Sequence, residues 1–182
     1  MDMILREATS LDAADIVGLV NRAYRPSFEN GGWTHERDLV AGNRTEYEQL
    51  LSLFRPLSKI LLLCQSDVIF ACVHLLHNDD STADIGMLAT EPNFQTRGLG
   101  KQMLLEAEQY AVEHYSTTMF RLCVLLARPE LIAFYQRRGY QQTGEVQDYP
   151  IDAGVGQPRI DGLQIITLTK PAKCLAEDRS LL

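Results

Sequence analysis

The sequence predicts an α/β (α+β) protein built as one domain, and three observations favour this prediction. The length of 182 residues suits one domain, and the chain carries no repeat, low-complexity tract or second domain. Strand-like apolar segments alternate with amphipathic helical patterns along most of the chain. One of these segments ends in a glycine-containing turn that opens a long helix. We expect the domain to span residues 1–170 and a polar tail to follow over residues 171–182.

Seven segments carry the apolar or alternating pattern of β-strands. In chain order they cover residues 3–8, 59–64, 68–77, 82–90, 120–126, 140–146 and 163–169. The second and third flank the polar turn Gln65-Ser66-Asp67, which predicts a hairpin between them. Residues 148–162 are rich in Pro, Gly and Asp and predict a long loop before the last strand.

Helical patterns lie between these strands. They cover residues 11–24, 35–41, 45–54, a long segment from Leu99, and 129–138. Ser10 can cap the first helix, Gly42-Asn43 separates the two short helices, and Pro56 follows the end of the second. The last helix begins at Pro129, a position where a missing N–H is tolerated.

The composition narrows the class of protein. The net charge of −7 disfavours nonspecific binding to nucleic acid and weakly favours a cationic partner. No apolar run approaches the ~20 residues of a membrane helix, and the start of the chain lacks the pattern of a signal peptide. Three of the four cysteines (Cys64, Cys72 and Cys123) lie in apolar runs, and no pair has zinc-ligand spacing. We therefore expect a cytoplasmic protein with buried free thiols, without a metal, a nucleic-acid partner or membrane association.

Residues 95–101 form the segment that we call the phosphate loop. The run Gln95-Thr96-Arg97-Gly98-Leu99-Gly100-Lys101 follows a strand-like segment and opens the long helix. At such a helix start, several backbone N–H groups lack a partner and, with the helix dipole, attract a phosphate group. Gly98 and Gly100 lack a Cβ and so allow an anion close to the backbone, and Arg97 adds a positive charge. The segment predicts a site for a phosphorylated cofactor.

Two familiar phosphate-binding motifs do not fit this segment. A Walker loop requires Ser or Thr after its lysine, and here Gln102 follows Lys101. A dinucleotide-binding fingerprint requires a third small residue where Met103 stands, and it usually follows the first strand. A purely structural alternative stays open, in which Thr96 caps the helix and the glycines only form a turn.

A second segment, residues 128–140, contains Phe134-Tyr135 and ends in Gly139-Tyr140. The two segments together resemble the GCN5-related N-acetyltransferase (GNAT) superfamily, whose members transfer an acetyl group from acetyl-CoA to an amine. The phosphate loop matches that family's Gln/Arg-x-x-Gly-x-Gly/Ala pattern, and the second segment matches its Phe-Tyr-x-x-x-Gly-Phe/Tyr pattern. The resemblance implies the GNAT fold, a mixed, mostly antiparallel sheet of about seven strands flanked by helices. It also implies acetyl-CoA as co-substrate and, since dimers are common in the superfamily, a homodimer as one possibility.

The resemblance also implies roles for particular residues. The phosphate loop would bind the pyrophosphate of CoA, and the backbone of Leu88, Ala89 and Thr90 would pair with the pantetheine arm and polarise the thioester carbonyl. Tyr135 matches the tyrosine that protonates the leaving thiolate; the alternative for Tyr135 is a buried aromatic residue with a satisfied hydroxyl. Arg128 stands where many relatives have an asparagine that contacts pantetheine, and we do not transfer that role to it.

Acetyl transfer to an amine needs a proton acceptor, because an alkyl ammonium has a pKa near ~10.4. Asp84 is the first candidate, since its position matches the catalytic glutamate of histone-type relatives. A solvated carboxylate at the strand end is the open alternative, and Glu29, His74 and Tyr149 are candidates for a base that acts through water. Strict alternation would place Asp84 on the opposite face from Ala83, Ile85, Met87 and Ala89.

We expect the specificity for the amine acceptor to come from the loop after the first helix and from the long loop before the last strand. Carboxylates would favour a cationic amine and aromatic rings could hold it, although ordinary loop packing is the alternative for each residue. The candidates are Glu29, Trp33 and Tyr149, with Phe28, Asp152 and Asp161 nearby in sequence. The sequence thus predicts an N-acetyltransferase that acts on a primary amine of a small molecule or peptide. The alternative is a noncatalytic acyl-CoA-binding sensor or interaction module, and the acceptor, acyl-chain preference and oligomeric state stay open.

Overall fold

The computed structural model describes residues 3–27, 32–78 and 80–172, so that Cys174 and most of the predicted tail lie outside it. Within the described residues the chain forms nine strands and four α-helices. The strands are β1 (Ile4–Glu7), β2 (Val40–Ala41), β3 (Ser58–Gln65), β4 (Val68–His77), β5 (Thr82–Thr90), β6 (Met119–Leu125), β7 (Gln141–Asp148), β8 (Gln157–Pro158) and β9 (Gln164–Pro171). The helices are α1 (Ala13–Tyr24), α2 (Tyr47–Leu51), α3 (Leu99–Tyr115) and α4 (Pro129–Gln136).

Seven of these strands form one sheet in the order β1-β3-β4-β5-β6-β9-β7. Neighbouring strands of this sheet run antiparallel, with the exception of the parallel pair β5 and β6. The predicted mixed, mostly antiparallel sheet of seven strands flanked by helices is therefore confirmed. The short strands β2 and β8 pair with each other in a separate ribbon.

The parallel strands β5 and β6 separate soon after they meet. In the described structure they pair at residues 82–84 and 119–121. Beyond this point β5 continues beside β4 to Thr90, whereas β6 continues beside β9 to Leu125. The backbone edge of β5 that faces β6 is thus left without a strand partner after Asp84. Its N–H and C=O groups are available to a ligand that enters between the two strands.

A bulge in β5 changes which face of the sheet its side chains meet. The register with β4 shifts within residues 72–74, and opposite this shift Met87 has a positive φ of 50°. Because an extra residue reverses the alternation that follows it, Ala83 and Ile85 pack on the side of α3, but Met87 and Ala89 pack on the side of α1. The sequence prediction that these four side chains share one face is wrong.

The sheet carries a hydrophobic core on each face. On one face, α3 and α4 cover strand residues that include Leu61, Val73 and Leu122. On the other face, α1 and α2 cover residues that include Leu62 and Cys72. The burial of apolar surface on both faces stabilises the sheet and fixes the position of β5 within it.

The cysteines only partly follow the prediction of buried thiols. Cys64 and Cys72 are buried and free, but Cys123 is exposed, so the prediction is wrong for this residue. In β6 the flanking residues Leu122 and Val124 are buried. Cys123 therefore faces the opposite side, into the space that opens where β5 and β6 diverge.

The predicted helix over residues 35–41 is also wrong. The segment forms a turn and ends in β2, in which Val40 pairs with Pro158 of β8. A seven-residue periodic pattern is weak, and this long-range pairing overrides it. The predicted helix over residues 45–54 is shorter in the structure, where α2 covers Tyr47–Leu51.

Two general properties of the described residues bear on function. None of their helices combines the length and the apolar character that a membrane-crossing helix needs. They also contain no group of three or more His, Cys, Asp or Glu side chains arranged to hold a metal ion.

Glu108 of α3 connects three elements in the core. It is buried, it accepts a hydrogen bond from the Tyr140 hydroxyl at 2.9 Å, and it forms an ion pair with Lys170 of β9 at 2.6 Å. The contact ties α3 to Tyr140, the residue before β7, and to β9. Removal of the carboxylate leaves both partners without their acceptor in a poorly solvated position.

We expect Glu108→Ala to lower the free energy of unfolding by about 1–3 kcal/mol, because the partly buried donors of Tyr140 and Lys170 are left without an acceptor. Glu113→Ala, on the exposed face of the same helix, is the matched control and should change it by about 0.5 kcal/mol or less. Urea denaturation of both variants measures the difference. Equal losses in the two variants would contradict this role of Glu108.

Candidate functional site

The phosphate loop has the backbone shape of an anion-binding site. Thr96 and Gly98 have positive φ angles of 65° and 86°, and the first intrahelical bond of α3 runs from the Gln102 N–H to the Gly98 carbonyl at 3.0 Å. Across the described chain, no group accepts a hydrogen bond from the backbone N–H groups of residues 96–101. These donors lie at the positive end of α3 and fit a phosphate group.

The structure contradicts one part of the purely structural alternative, the capping of α3 by Thr96. Gly98, and not Thr96, occupies the cap position of α3, and no side chain makes a capping hydrogen bond there. The N–H groups at the start of α3 are therefore left for a ligand or water. Glycine at this position follows from the left-handed backbone, which is strained for residues that carry a Cβ.

A cavity opens beside the phosphate loop, and we call it the loop cavity. Its walls are the phosphate loop, the end of β5 and helix α4. The predicted cofactor-binding residues that line it are Leu88, Ala89, Thr90, Gln95, Thr96, Gly98, Gly100 and Lys101. Two other predicted cofactor-binding residues do not line the cavity. The Arg97 guanidinium lies over the Phe94 ring, 4.6 Å from its centroid, and Leu99 is buried in the core. Arg138, for which no signal was visible in the sequence, lines the same cavity as Lys101 and adds a second positive charge.

A second cavity, the strand cavity, lies where β5 and β6 diverge. Residues of β4, β5, β6 and β7 line it, together with Tyr149. The two cavities share five lining residues, which we call the junction: Tyr24, Leu88, Arg128, Leu131 and Tyr135. One ligand can therefore reach the junction from the phosphate loop and another can reach it from the opposite side.

Tyr135 lies at the junction with its ring fixed by other aromatic rings. The ring centroids of Phe134 and Tyr140 are 5.1 and 5.7 Å away. Its hydroxyl has no hydrogen-bond partner in the described part of the chain. Burial, with a smaller contribution from Tyr24, raises the pKa of the Tyr135 hydroxyl well above its usual value. The hydroxyl is therefore protonated at neutral pH and is free to donate to a ligand.

Tyr24 is a junction residue that the sequence analysis placed only at the end of the first helix. It is the last residue of α1, and burial raises the pKa of its hydroxyl. The Arg44 guanidinium stands over its ring, 5.3 Å from the centroid. No sequence signal marked this residue, since its role depends on where α1 ends relative to β5.

A buried network of ion pairs fixes the position of Arg128, one of the junction residues. Glu36 forms ion pairs with Arg25 at 3.2 Å and with Arg128 at 3.7 Å, and all three side chains are nearly inaccessible. Arg25 also donates to the carbonyls of Gly42 and Val155 at 2.6 Å each. The network joins α1, the turn before β2, the loop before β8 and the start of α4. Sequence reasoning missed it, because Glu36 lay within the predicted helix over residues 35–41.

His74 of β4 faces the strand cavity in a defined tautomer. The Ser58 hydroxyl donates to the Leu53 carbonyl at 2.6 Å, so its oxygen accepts from His74 Nε2 at 2.8 Å. This leaves His74 Nδ1, which has no protein partner among the described residues, as the acceptor atom. Burial, followed by the charge of Arg55, lowers the pKa of His74 to about 4. The imidazole is therefore neutral at pH 7, and its Nδ1 can accept a hydrogen bond.

Asp84 also lines the strand cavity, but its carboxylate is already paired. Both oxygens accept from Arg121 of β6, at 2.6 Å from Nε and 3.0 Å from Nη2. The pair lies where β5 and β6 are still hydrogen-bonded, before they diverge. Four residues at a rise of about 3.3 Å separate Asp84 from Leu88 of the junction, a distance on the order of 13 Å along the strand.

The predicted acceptor-binding residues lie in different places. Tyr149 is buried in the wall of the strand cavity, where its hydroxyl donates to the Val155 carbonyl at 2.8 Å. Trp33 lines the loop cavity instead, 6.1 Å from the Phe134 ring. Asp152 and Asp161 are exposed and do not line either cavity. Phe28 and Glu29 lie outside the described residues.

Comparison with a family model identifies the class of protein. Residues 19–140 match the model of the acetyltransferase (GNAT) family, which is more than half of the chain. The chain therefore belongs to the GNAT family of acetyltransferases, as the two motifs predicted. A search of curated proteins finds no sequence match.

Solved structures agree in fold. The ribosomal-protein-S18-alanine N-acetyltransferase from Escherichia coli matches with a TM-score of 0.72 and 16% identity, over 97% of this chain and 98% of that one. A GNAT-family acetyltransferase from Streptococcus pneumoniae matches with a TM-score of 0.67 and 20% identity, over 94% and 100%. Spermidine N-acetyltransferase from Vibrio cholerae, in complex with CoA and spermine, matches with a TM-score of 0.67 and 14% identity, over 93% and 95%.

We expect Gly100→Leu to weaken binding of CoA by at least tenfold, because the added side chain enters the loop cavity beside the unpaired N–H groups. Gly100→Ala is the matched control: its Cβ would lie 3.7 Å from Thr90 Oγ1 and 3.9 Å from Phe134 Cζ, both ordinary contacts. Alanine also suits a helix better than glycine, so the fold is kept. Calorimetric titration with CoA measures both variants, and equal affinity in Gly100→Leu and wild type would contradict the assignment of this loop.

Proposed function

We propose that the protein transfers an acetyl group from acetyl-CoA to the primary amine of a small molecule or peptide by direct attack on the thioester. The observation that carries the proposal is the junction, where a cavity with unpaired phosphate-binding N–H groups meets a second cavity beside Tyr135. Family membership supports the same chemistry. Direct attack needs both substrates at one point, and the junction is open from both sides.

The residues of the loop cavity fit CoA. The N–H groups of residues 96–101 would hold the pyrophosphate, with Lys101 and Arg138 adding positive charge. The free edge of β5 at residues 88–90 would bind the pantetheine arm through its backbone. Acetyl-CoA supplies an acetyl group activated as a thioester. A backbone N–H of this edge of β5 would donate to the carbonyl oxygen, where negative charge develops during attack.

Tyr135 would act as the general acid. Its hydroxyl is protonated at neutral pH, without a partner among the described residues, and located at the junction. A CoA thiol has a pKa near ~8.5, so its thiolate leaves more readily when a proton donor stands beside the sulfur. The ring packing of Tyr135 against Phe134 and Tyr140 fixes the direction of this hydroxyl.

His74 would assist removal of the proton from the ammonium form of the substrate through water, to which its Nδ1 accepts a hydrogen bond. Its Nδ1 carries a lone pair because Nε2 donates to Ser58, and the ring is neutral at pH 7. Asp84, the first candidate from the sequence, is the second candidate here. Its bidentate pair with Arg121 and its distance from the junction favour His74.

The neighbours with this fold act on different amines. One is named for an alanine of a ribosomal protein, and another was solved with spermine. Either a peptide amine or a small amine is thus compatible with the fold. We place the protein in the cytoplasm, where acetyl-CoA and such amines occur, and a homodimer stays a prediction.

The activity is tested by two measurements on the intact protein. Calorimetry measures binding of acetyl-CoA, and a thiol assay measures release of CoA in the presence of a broad panel of amines. We expect binding together with CoA release that requires an amine. Binding without release on any amine would favour the noncatalytic sensor or interaction module.

Tyr135→Phe should lower kcat by about 100-fold with the best amine, because it removes the proton donor to the thiolate, and should leave the affinity for CoA unchanged. Tyr140→Phe is the control, since this hydroxyl bonds to Glu108 and does not line either cavity. The steady-state kinetics of both variants decide the matter. A kcat near that of wild type in Tyr135→Phe would rule this residue out as the acid.

His74 also predicts a pH dependence of stability. The folded pKa of about 4 lies below the unfolded value of 6.5, so only the unfolded chain gains a proton here between these values. The contribution of neutral His74 to stability is present above pH 6.5 and is lost as the pH falls towards 4. Thermal unfolding between pH 7 and 4 should show a shallower decline for His74→Gln than for wild type.

The exposed His114 provides the control, since His114→Gln changes an imidazole at the far end of α3 from the junction. That variant should follow the wild-type decline. If His74→Gln also follows it, His74 is solvated in the folded protein and its neutral state at the cavity wall is not maintained.

A further inference from the structure

The charges in the strand cavity are mostly cancelled by protein partners. Three carboxylates line this cavity: Glu36 is held by Arg25 and Arg128, Asp84 is held by Arg121, and the exposed Glu145 forms no ion pair within the described residues. Two of the three are therefore compensated before any acceptor enters. A polyamine, which carries several positive charges, would find one uncompensated carboxylate, Glu145, among them.

Arg44 is the exception among the cationic side chains of this cavity. Its guanidinium lines the cavity, and within the described residues it makes no hydrogen bond or ion pair. Its contact is with the Tyr24 ring, over which the guanidinium carbon lies 5.3 Å from the centroid. Because this contact uses no N–H donor, the guanidinium can still bind a carboxylate through its N–H groups.

The position of Arg44 is built into the fold. The Asn21 side chain of α1 accepts from the backbone N–H groups of Arg44 and Thr45, at 2.7 and 3.2 Å, and donates to the Thr45 carbonyl at 3.0 Å. This clamp fixes the backbone of the segment against α1. Because Tyr24 follows Asn21 by three residues, both lie on the same side of the helix and the Arg44 side chain is directed over Tyr24.

The guanidinium of Arg44 lies next to the junction. Tyr24 is a junction residue, so a carboxylate bound to Arg44 lies beside the wall of the junction, where an amine must attack. A bidentate pair with Arg44 would place the carboxylate oxygens at ~2.8 Å from its nitrogens. An acceptor that carries both an amine and a carboxylate can therefore contact Arg44 and the junction at the same time.

We propose that the acceptor is a small amino acid-type molecule, whose carboxylate binds Arg44 and whose amine reaches the junction beside Tyr24 and Tyr135. This inference rests on the proposed acetyltransferase function and specifies its substrate class. The N–H donors of Arg44 would discriminate between amines with and without a carboxylate, because an amine without one leaves the arginine unpaired in the cavity wall. The acceptor amine is positioned by its own anionic group.

The test compares amino acids with the amines that result when their carboxylate is removed. Suitable pairs are phenylalanine and phenethylamine, lysine and cadaverine, and arginine and agmatine, with spermidine as a further amine. Release of CoA thiol gives kcat and KM for each acceptor. We expect the wild-type protein to favour the carboxylate-bearing member of a pair.

Arg44→Gln should raise KM for the preferred amino acid by at least tenfold, with KM for acetyl-CoA unchanged and the preference over the matching amine reduced by a similar factor. Arg55→Gln is the control, an exposed arginine whose charge also reaches His74 but which does not line the cavity. It should retain the preference. Thermal unfolding checks that Arg44→Gln is folded, as expected since the Asn21 clamp binds backbone atoms.

Three results would overturn the proposal, and they are distinguishable. Turnover of spermidine or of the decarboxylated amines in preference to the amino acids would leave an acetyltransferase with another substrate class. An unchanged preference in Arg44→Gln would show that a different group reads the carboxylate. Binding of acetyl-CoA without turnover of any acceptor would refute the proposed function itself.

Discussion

The site depends on one constraint in the sheet, the early divergence of β5 from β6. The two strands are parallel neighbours for residues 82–84 and then separate, each held by its other neighbour. A backbone edge left unpaired inside a protein is costly unless a ligand or water satisfies it. Here the open edge leads directly to the phosphate loop, so the geometry that leaves β5 unsatisfied also creates the channel for an extended ligand.

The bulge at Met87 changes the direction of the side chains of β5 just before the strand reaches the phosphate loop. It turns the side chains of Met87 and Ala89 to the α1 side while Leu88 packs towards α3 and lines both cavities. The bulge is located between the paired part of β5 and the residues next to the phosphate loop. Bulges are common beside active sites because they redirect backbone groups without ending a strand.

Burial accounts for the protonation states around the junction. It keeps the Tyr135 hydroxyl protonated and His74 neutral, so one group can donate a hydrogen bond and the other can accept one at the same pH. The buried network of Arg25, Glu36 and Arg128 keeps its charges mutually compensated beside them. The electrostatics of the site thus follow from partners that are distant in sequence.

Local patterns in the sequence predicted the sheet and the phosphate loop, because both depend on neighbouring residues. Strand periodicity, the hairpin turn and the glycines of the loop are visible within a few residues of each other. The acceptor side was not predictable in this way. The segment 35–41 takes its shape from pairing with β8, Glu36 from two remote arginines, and Tyr24 and Arg44 from the packing of α1. The β5 bulge was likewise invisible, since an alternating pattern gives no sign of an extra residue.

A crystal structure with bound CoA tests the central claim most directly. The account predicts the pyrophosphate on the N–H groups of residues 96–101, the pantetheine arm along the free edge of β5 at residues 88–90, and the sulfur beside Tyr135. CoA bound at another surface, or β5 and β6 closed together with the phosphate loop occupied by its own side chains, would contradict it.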